Sequence, residues 1–435
     1  MERPFFAPER SGLQADFYLL VLAAVYHADG LWGDATFDLF ARQMPDRYGY
    51  LVLGGVCEAI ESALRLGFTS EEIAWLRAQD TFANASEGWW DALENMRFEG
   101  EIRCMAEGSV FFPNEPILRV TAPLPQAVLL ETRMLQAISH GTAIATRAAR
   151  MTRVAGGRKL FDFGSRRLPG GEAALLAARA AMVGGFAGTT NTLAAATLEV
   201  PTMGTLSAGF MAAYGSDAAA LEAFRVHFPN VGYVSLPDGD VVEAVLRLAP
   251  HRKAIRIVRL DQWDLDGSSR RLRGALDAAG MNRTRILGSG ALDEDRIAEL
   301  VRRGAPVEML AVGRSLVQAG ATTDFSWRLA EIARGPDREG VRHPGGSPWP
   351  GAKQVLRFPD HDLICLDEEA EALAGDLGRP MLEQLVSYGE RNVPEEPVQV
   401  AQQRCAEQIA ALPEVLRQSD AVVEWPIRRS PGLRV

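Results

Sequence analysis

The sequence predicts an α/β protein, built either as an α/β barrel or as a doubly wound sheet. Two observations carry this. From position 158 onward, short β-branched or apolar runs at 158–163, 254–260, 285–287 and 307–312 alternate with helical stretches, a repetition that calls for parallel strands joined by helical crossovers. The second is composition. A chain of 435 residues, 47% hydrophobic and 23% charged with a mean hydropathy of −0.05, has the balance of a soluble protein and apolar mass for more than one core.

Along the chain, a helix is expected at 16–28, a strand at 35–40, and helices near 52–66 and 70–77. Thr69-Ser70-Glu71-Glu72 before an apolar run signals a capped helix start. Residues 103–120 read as short strands broken by Glu107-Gly108 and Pro113-Asn114-Glu115-Pro116, and 126–154 as a long Ala-rich helical stretch. The Gly/Pro-rich stretch 335–351 reads as a surface connector. The tail carries a strand signal at 363–366 and a helix around 398–412. These elements divide into an N-terminal α/β domain (1–125), a barrel-like catalytic domain (126–345) and a C-terminal segment (346–435) returning to the first.

A net charge of −10 argues against nucleic acid or an anionic membrane as partner, since both want a basic footprint. No uninterrupted run of about 20 apolar residues exists to span a membrane, and 1–4 lead into no signal-peptide core. The four cysteines (Cys57, Cys104, Cys365, Cys405) are scattered without a CxxC pair, as reduced thiols of a cytoplasmic protein would be. None of the six histidines has metal-ligand spacing, and no metal or other cofactor is required by the sequence.

Chemistry concentrates in a few loops. Asp162-Phe163-Gly164-Ser165-Arg166-Arg167, then Gly188-Thr189-Thr190-Asn191 and Gly204-Thr205, bring glycine turns, forked guanidinium donors, amides and hydroxyls suited to a phosphate or carboxylate. Arg259-Leu260-Asp261-Gln262-Trp263-Asp264 places carboxylates and an indole at a strand end. Gly288-Ser289-Gly290-Ala291 and Gly313-Arg314-Ser315 are successive strand-to-helix turns with small residues, the geometry of a backbone phosphate cradle. Plainer readings compete. Adjacent arginines are usually solvated or paired, Asp261 and Asp264 could cap helices, Tyr18 fits a core, Trp89-Trp90 would pack an interface between domains, and His140 a helix core.

The order and spacing of these elements resemble the nicotinate phosphoribosyltransferase family. Asp16-Phe17-Tyr18, Arg42-Gln43-Met44-Pro45, Asn114-Glu115-Pro116 with Leu130-Glu131-Thr132, Ser289-Gly290-Ala291-Leu292, and Pro350-Gly351-Ala352-Lys353-Gln354-Val355 with Arg357 follow the family's series from 16 to 357. The resemblance implies an N-terminal α/β domain, an irregular, incompletely closed α/β barrel, and a homodimer with shared active sites. It implies that Tyr18 stacks on a planar acceptor, that Arg166 or Arg167 binds anionic oxygens, and that Thr189 and Asn191 line the acceptor side. Arg259 and Asp261 would hold the sugar, while Ser289, Gly290 and Gly313, with Gly204 and Thr205, would hold phosphate. The implied reaction is glycosyl transfer from a diphosphate-linked sugar.

The chain departs from the family's pattern within the site. Ala208 stands where the family has a histidine that is phosphorylated to couple ATP hydrolysis, and alanine cannot carry that relay. Trp263 replaces a glycine, Arg314 adds a guanidinium beside the phosphate loop, and Leu236-Pro237-Asp238-Gly239-Asp240 does not match the family's element there. These changes point to an altered donor, with Arg314 on a displaced diphosphate and Trp263 on a nucleobase or a quaternary ammonium. The S-glycosyltransferase of lincosamide antibiotic assembly resembles this family and joins a GDP-activated octose to the thione of ergothioneine, which suits the pattern. Mg2+ accompanying the diphosphate is compatible with it. A nicotinate phosphoribosyltransferase without ATP coupling and a catalytically inactive binding subunit are the competing readings.

Overall fold

A computed structural model describes residues 12–204, 206–228, 232–235, 240–253, 255–318, 324–344, 349–418 and 423–433. Thr205, Ala254, the 236–239 part of the unmatched element and the 345–348 part of the connector lie outside the described residues. The chain forms two compact units, Met1–Thr146 with Gly320–Val435, and Arg147–Ala319. The expected divisions lay at 125/126 and 345/346. The structural ones fall inside the helix Glu131–Val154 and just before the strand Phe325–Arg334.

The first unit is built on a seven-stranded sheet in which every pairing is antiparallel. Within it Asp34–Ala41 pairs with Phe325–Arg334 on one side and with the central strand Leu118–Pro123 on the other. Seven of the eight residues of Asp34–Ala41 are buried, so the strand is covered on both faces. The helix Phe17–Ala28 and the capping box of Ser70–Arg77 appear where expected, with Thr69 Oγ1 accepting from Glu72 N–H and Glu72 Oε2 accepting from Thr69 N–H. Trp89 and Trp90 correct an expectation. They lie in this unit's own core, 1% and 3% exposed, rather than at an interface between domains.

The Ala- and Thr-rich character of the long helix has a physical reason in this unit. Gly141 packs against Gly54 and Gly55 so closely that a Cβ there would sit 2.5 Å from Gly55 N. Thr142 and Thr146 hydroxyls accept from Gly54 and Val52 N–H at 3.3 and 2.9 Å. Small residues let the two backbones meet, and hydroxyls satisfy the amides that the contact would otherwise orphan. The connector expectation also needs correction, because Asp337–Gly340 is a strand that extends the sheet by pairing with the end of Phe325–Arg334.

The second unit carries five parallel strands in the order Lys159–Asp162, Met309–Val312, Arg285–Ser289, Ile257–Asp261, Tyr233–Ser235. Single parallel bridges from Asp162 to Thr189 and from Thr189 to Thr202 carry the arc one step further. Among the described residues nothing joins that end to Tyr233–Ser235, so the arc stays open. Helices such as Val241–Leu248, Leu265–Ala278 and Glu294–Arg302 cross between strands, each burying one apolar face. Phe161, Ile257, Leu287, Met309 and Ala311 pack together inside it. The registers Asp162↔Val312, Ala311↔Ser289 and Ser289↔Asp261 align the carboxyl ends of the strands, where ligand loops of such sheets belong.

Candidate active site

The first loop is organised by one carboxylate. Asp162 ends its strand 1% exposed, and its two oxygens accept the Gly164 N–H and the Thr189 hydroxyl, each at 2.7 Å. Burial raises its pKa, while those two hydrogen bonds act to lower it. The chain then turns at Gly164, where a Cβ would lie 2.5 Å from Val317 Cγ1. Arg166 and Arg167 follow in a short 3-10 turn with exposed side chains.

The second and third loops are tied by Arg259. Its Nε donates to Ser289 Oγ at 2.9 Å and its Nη2 to Asp261 Oδ2 at 2.5 Å, while its guanidinium lies 5.5 Å from the Phe163 ring centroid. Asp261 is thus ion-paired rather than a helix cap. Asp264 is the cap, accepting from Gly267 N–H at 3.1 Å. Gly290 has φ +116° and a Cβ there would sit 3.1 Å from Gln262 O, so the turn needs glycine. Ala291 follows with φ +46°, a left-handed conformation that costs a residue with a Cβ.

Phe163, Arg166, Arg167, Arg259, Asp261, Ser289, Gly290, Ala291, Gly313 and Arg314 line a cavity of about 440 Å³, with Asp293, Ser315 and Gln318 also in its wall. Four guanidiniums face two carboxylates. Asp261 is engaged by Arg259 and Asp293 caps Glu294–Arg302, whereas no hydrogen bond or ion pair engages the Arg166, Arg167 or Arg314 side chains among the described residues. The surplus charge, together with the amides at the start of Arg314–Val317, suits a diphosphate or a sugar phosphate.

Eight predicted residues therefore meet in one cavity: Arg166, Arg167, Arg259, Asp261, Ser289, Gly290, Gly313 and Arg314. Five others lie outside its lining. Thr189 is fully buried with its hydroxyl on Asp162, and Asn191 caps Thr192–Leu198, so both hold the loop's shape. Gly204 is exposed, and the Trp263 indole is 81% exposed beneath the Arg296 guanidinium, 4.4 Å from the ring centroid. Tyr18 belongs to the first unit, where its ring is half exposed and its hydroxyl donates to Glu131 Oε1 at 3.2 Å; burial and the Glu131 charge raise its pKa. The sequence places Asp162 at the head of a candidate loop but does not assign its anchoring role, and it does not single out Arg296. An Asp two residues before a glycine at a strand end was a usable signal for the first. Among the described residues no group of three or more His, Cys, Asp or Glu could hold a metal ion, and no helix is long and apolar enough to cross a membrane.

An open parallel arc with an arginine-lined cavity at its carboxyl ends defines an α/β protein with a basic pocket whose chemistry suits phosphate or carboxylate. Comparison with known proteins supplies the family. Residues 13–139 match the family model described as nicotinate phosphoribosyltransferase (NAPRTase) N-terminal domain. The chain is 35% identical over 428 residues to the nicotinate phosphoribosyltransferase pncB2 of Mycobacterium tuberculosis, covering 95% of this chain and 90% of that one. Its fold is that of human nicotinic acid phosphoribosyltransferase, with a TM-score of 0.84 at 21% identity over 96% of this chain and 98% of the other. The nicotinate-nucleotide pyrophosphorylase of Pyrococcus furiosus superposes with a TM-score of 0.74 at 22% identity over 94% and 99%. The chain belongs to the nicotinate phosphoribosyltransferase family, whose members are transferases.

Proposed function

We propose that this protein is a glycosyltransferase that moves a sugar from a diphosphate-linked donor to a planar heteroaromatic acceptor, with donor and acceptor changed from the parent family. The observation that carries this is Arg314, a guanidinium with no partner among the described residues, added to a cavity that already holds Arg166, Arg167 and Arg259. The acceptor heteroatom forms a bond to the anomeric carbon as the carbon–oxygen bond to the diphosphate breaks. Positive charge develops on the sugar and negative charge on the departing phosphate. Asp261, oriented by Arg259, stabilises the first, and Arg166 and Arg314 stabilise the second. Mg2+, where it takes part, arrives with the diphosphate, for which Asp261 and Asp293 are the nearby carboxylates.

For substrates, the reading is S-glycosylation of ergothioneine by a GDP-sugar, as in lincosamide assembly. Arg167 would receive the carboxylate of the acceptor, and the protein would act as a homodimer. The exposed Trp263 supports a donor with a part that the parent family's donor lacks. A second reading, nicotinate phosphoribosyl transfer without ATP coupling, is favoured by the relatives, among them the 35% identical M. tuberculosis enzyme. A thermal-shift panel of nicotinate, ergothioneine, phosphoribosyl pyrophosphate and GDP-sugars separates the two. A true ligand at 100 times its dissociation constant stabilises by about 2.7 kcal/mol. Stabilisation by ergothioneine and a GDP-sugar is the expected result; stabilisation by nicotinate and phosphoribosyl pyrophosphate alone selects the second reading. Under either, ATP should not stimulate turnover, because Ala208 accepts no phosphoryl group.

A further inference from the structure

Arg296 sits in the first turn of Glu294–Arg302, and its guanidinium does not face solvent alone. Nη1 donates to Gly290 O at 3.1 Å and to Ala291 O at 3.3 Å, and Nη2 donates to Trp263 O at 2.7 Å. The same plane lies 4.4 Å from the centroid of the Trp263 ring. One side chain thus fastens two ligand loops together and backs the most exposed tryptophan of the chain. We propose that Arg296 is a positioning residue that holds the Gly290–Ala291 backbone in its phosphate-facing conformation and fixes the Trp263 indole beside the cavity.

Three physical points support this. A peptide unit is planar, so fixing the carbonyls of Gly290 and Ala291 fixes where the amides of Ala291 and Leu292 point. Ala291 has φ +46°, and a residue with a Cβ stays in that region only where its surroundings over-determine it. Three carbonyls on one rigid fork provide such a constraint, which a lysine's single ammonium cannot reproduce. Finally, a cation already occupies one face of the indole. A second cation on the open face would be repelled by the first, so that face suits a planar, uncharged group, such as the base of a nucleoside diphosphate.

The proposal rests on the reading that this cavity holds a diphosphate, and the test keeps the two apart. Inorganic pyrophosphate is titrated calorimetrically into the wild type, Arg296→Ala and Arg296→Lys. In the same proteins the time-resolved fluorescence anisotropy of Trp263 is obtained as the difference from Trp263→Phe. The expected result is a pyrophosphate dissociation constant at least tenfold higher in Arg296→Ala, an intermediate value in Arg296→Lys, and faster anisotropy decay of Trp263 in both. Should Arg296→Ala not fold, Arg296→Lys must still show both changes. Pyrophosphate binding that survives both substitutions, or an indole equally immobile in both, overturns the proposal. A wild type that binds no pyrophosphate sinks the diphosphate reading instead, and the anisotropy then decides whether Arg296 fixes the indole.

Discussion

Two groups of basic side chains, one in each unit, use charge in opposite ways. In the first unit Arg357 donates through Nε and Nη2 to the two oxygens of the buried Asp362 at 2.9 and 2.7 Å, and through Nη1 to Val110 O at 2.6 Å. Glu115 lies 3.9 Å away, and Lys353 pairs with Asp38 at 2.7 Å where both side chains are almost wholly buried. In the second unit Arg166, Arg167 and Arg314 line a cavity without partners among the described residues. A buried charge left alone would cost several kcal/mol, so the first group is paired throughout. Exposed guanidiniums can stay unpaired without that cost, and so remain available to a ligand. Scaffold and site can share a residue type and still be told apart by pairing.

The largest effect should come from breaking the paired group. Arg357→Ala leaves Asp362 buried without its cation, and urea unfolding should show a loss of about 3–5 kcal/mol. Arg314→Ala should change stability by no more than about 0.5 kcal/mol. Similar losses for the two would erase the distinction.

Next in size is Asp261→Asn, which should slow the chemical step by at least about tenfold, because a carboxylate there stabilises positive charge on the sugar. An unchanged single-turnover rate under saturating substrates would remove Asp261 from the mechanism.

A smaller effect appears in pH dependence. Burial first, then the Asp362 charge, raises the Glu115 pKa well above the carboxylate range, against the pull of Arg357. A carboxyl whose folded pKa exceeds its unfolded one contributes stability that is fully present below the unfolded pKa and is lost as pH rises through the folded pKa. Glu115→Gln keeps a neutral group in place, so its stability relative to the wild type should rise with pH across that window. A difference that stays flat with pH would mean that Glu115 is ionised in the fold.

The smallest change is Ala291→Gly. Glycine relieves the left-handed conformation, and thermal unfolding should show a gain of no more than about 1 kcal/mol. A loss would mean that the methyl group packs usefully.

Much of this architecture is legible along the chain, for reasons that differ by element. The Thr69–Glu72 capping box and the strands ending at Asp162, Asp261, Ser289 and Val312 announce themselves through local pattern, so the cavity's arginines and glycines could be named in advance. Asp337–Gly340 could not. All four of its residues are exposed, and a strand without a buried face leaves no alternation to read. The roles of Thr189 and Asn191 were hidden for another reason. Whether a hydroxyl meets a ligand or a buried carboxylate 27 residues earlier depends on the bridge from Asp162 to Thr189, which is a fact of folding. Arg296 likewise reads as an ordinary helix-surface charge until three carbonyls converge on it. Lys353 and Arg357 belong to a motif shared with a family of enzymes, and only their pairing shows that they serve the scaffold.

The most direct test of the altered-donor claim is calorimetric titration of a GDP-sugar and of phosphoribosyl pyrophosphate into the wild type and Arg314→Ala. The account predicts that the GDP-sugar binds the wild type more tightly, and that Arg314→Ala weakens it by at least about tenfold, the scale of one charge-assisted hydrogen bond to phosphate. Tighter binding of phosphoribosyl pyrophosphate, unaffected by Arg314→Ala, would contradict it and leave the protein with the parent family's donor.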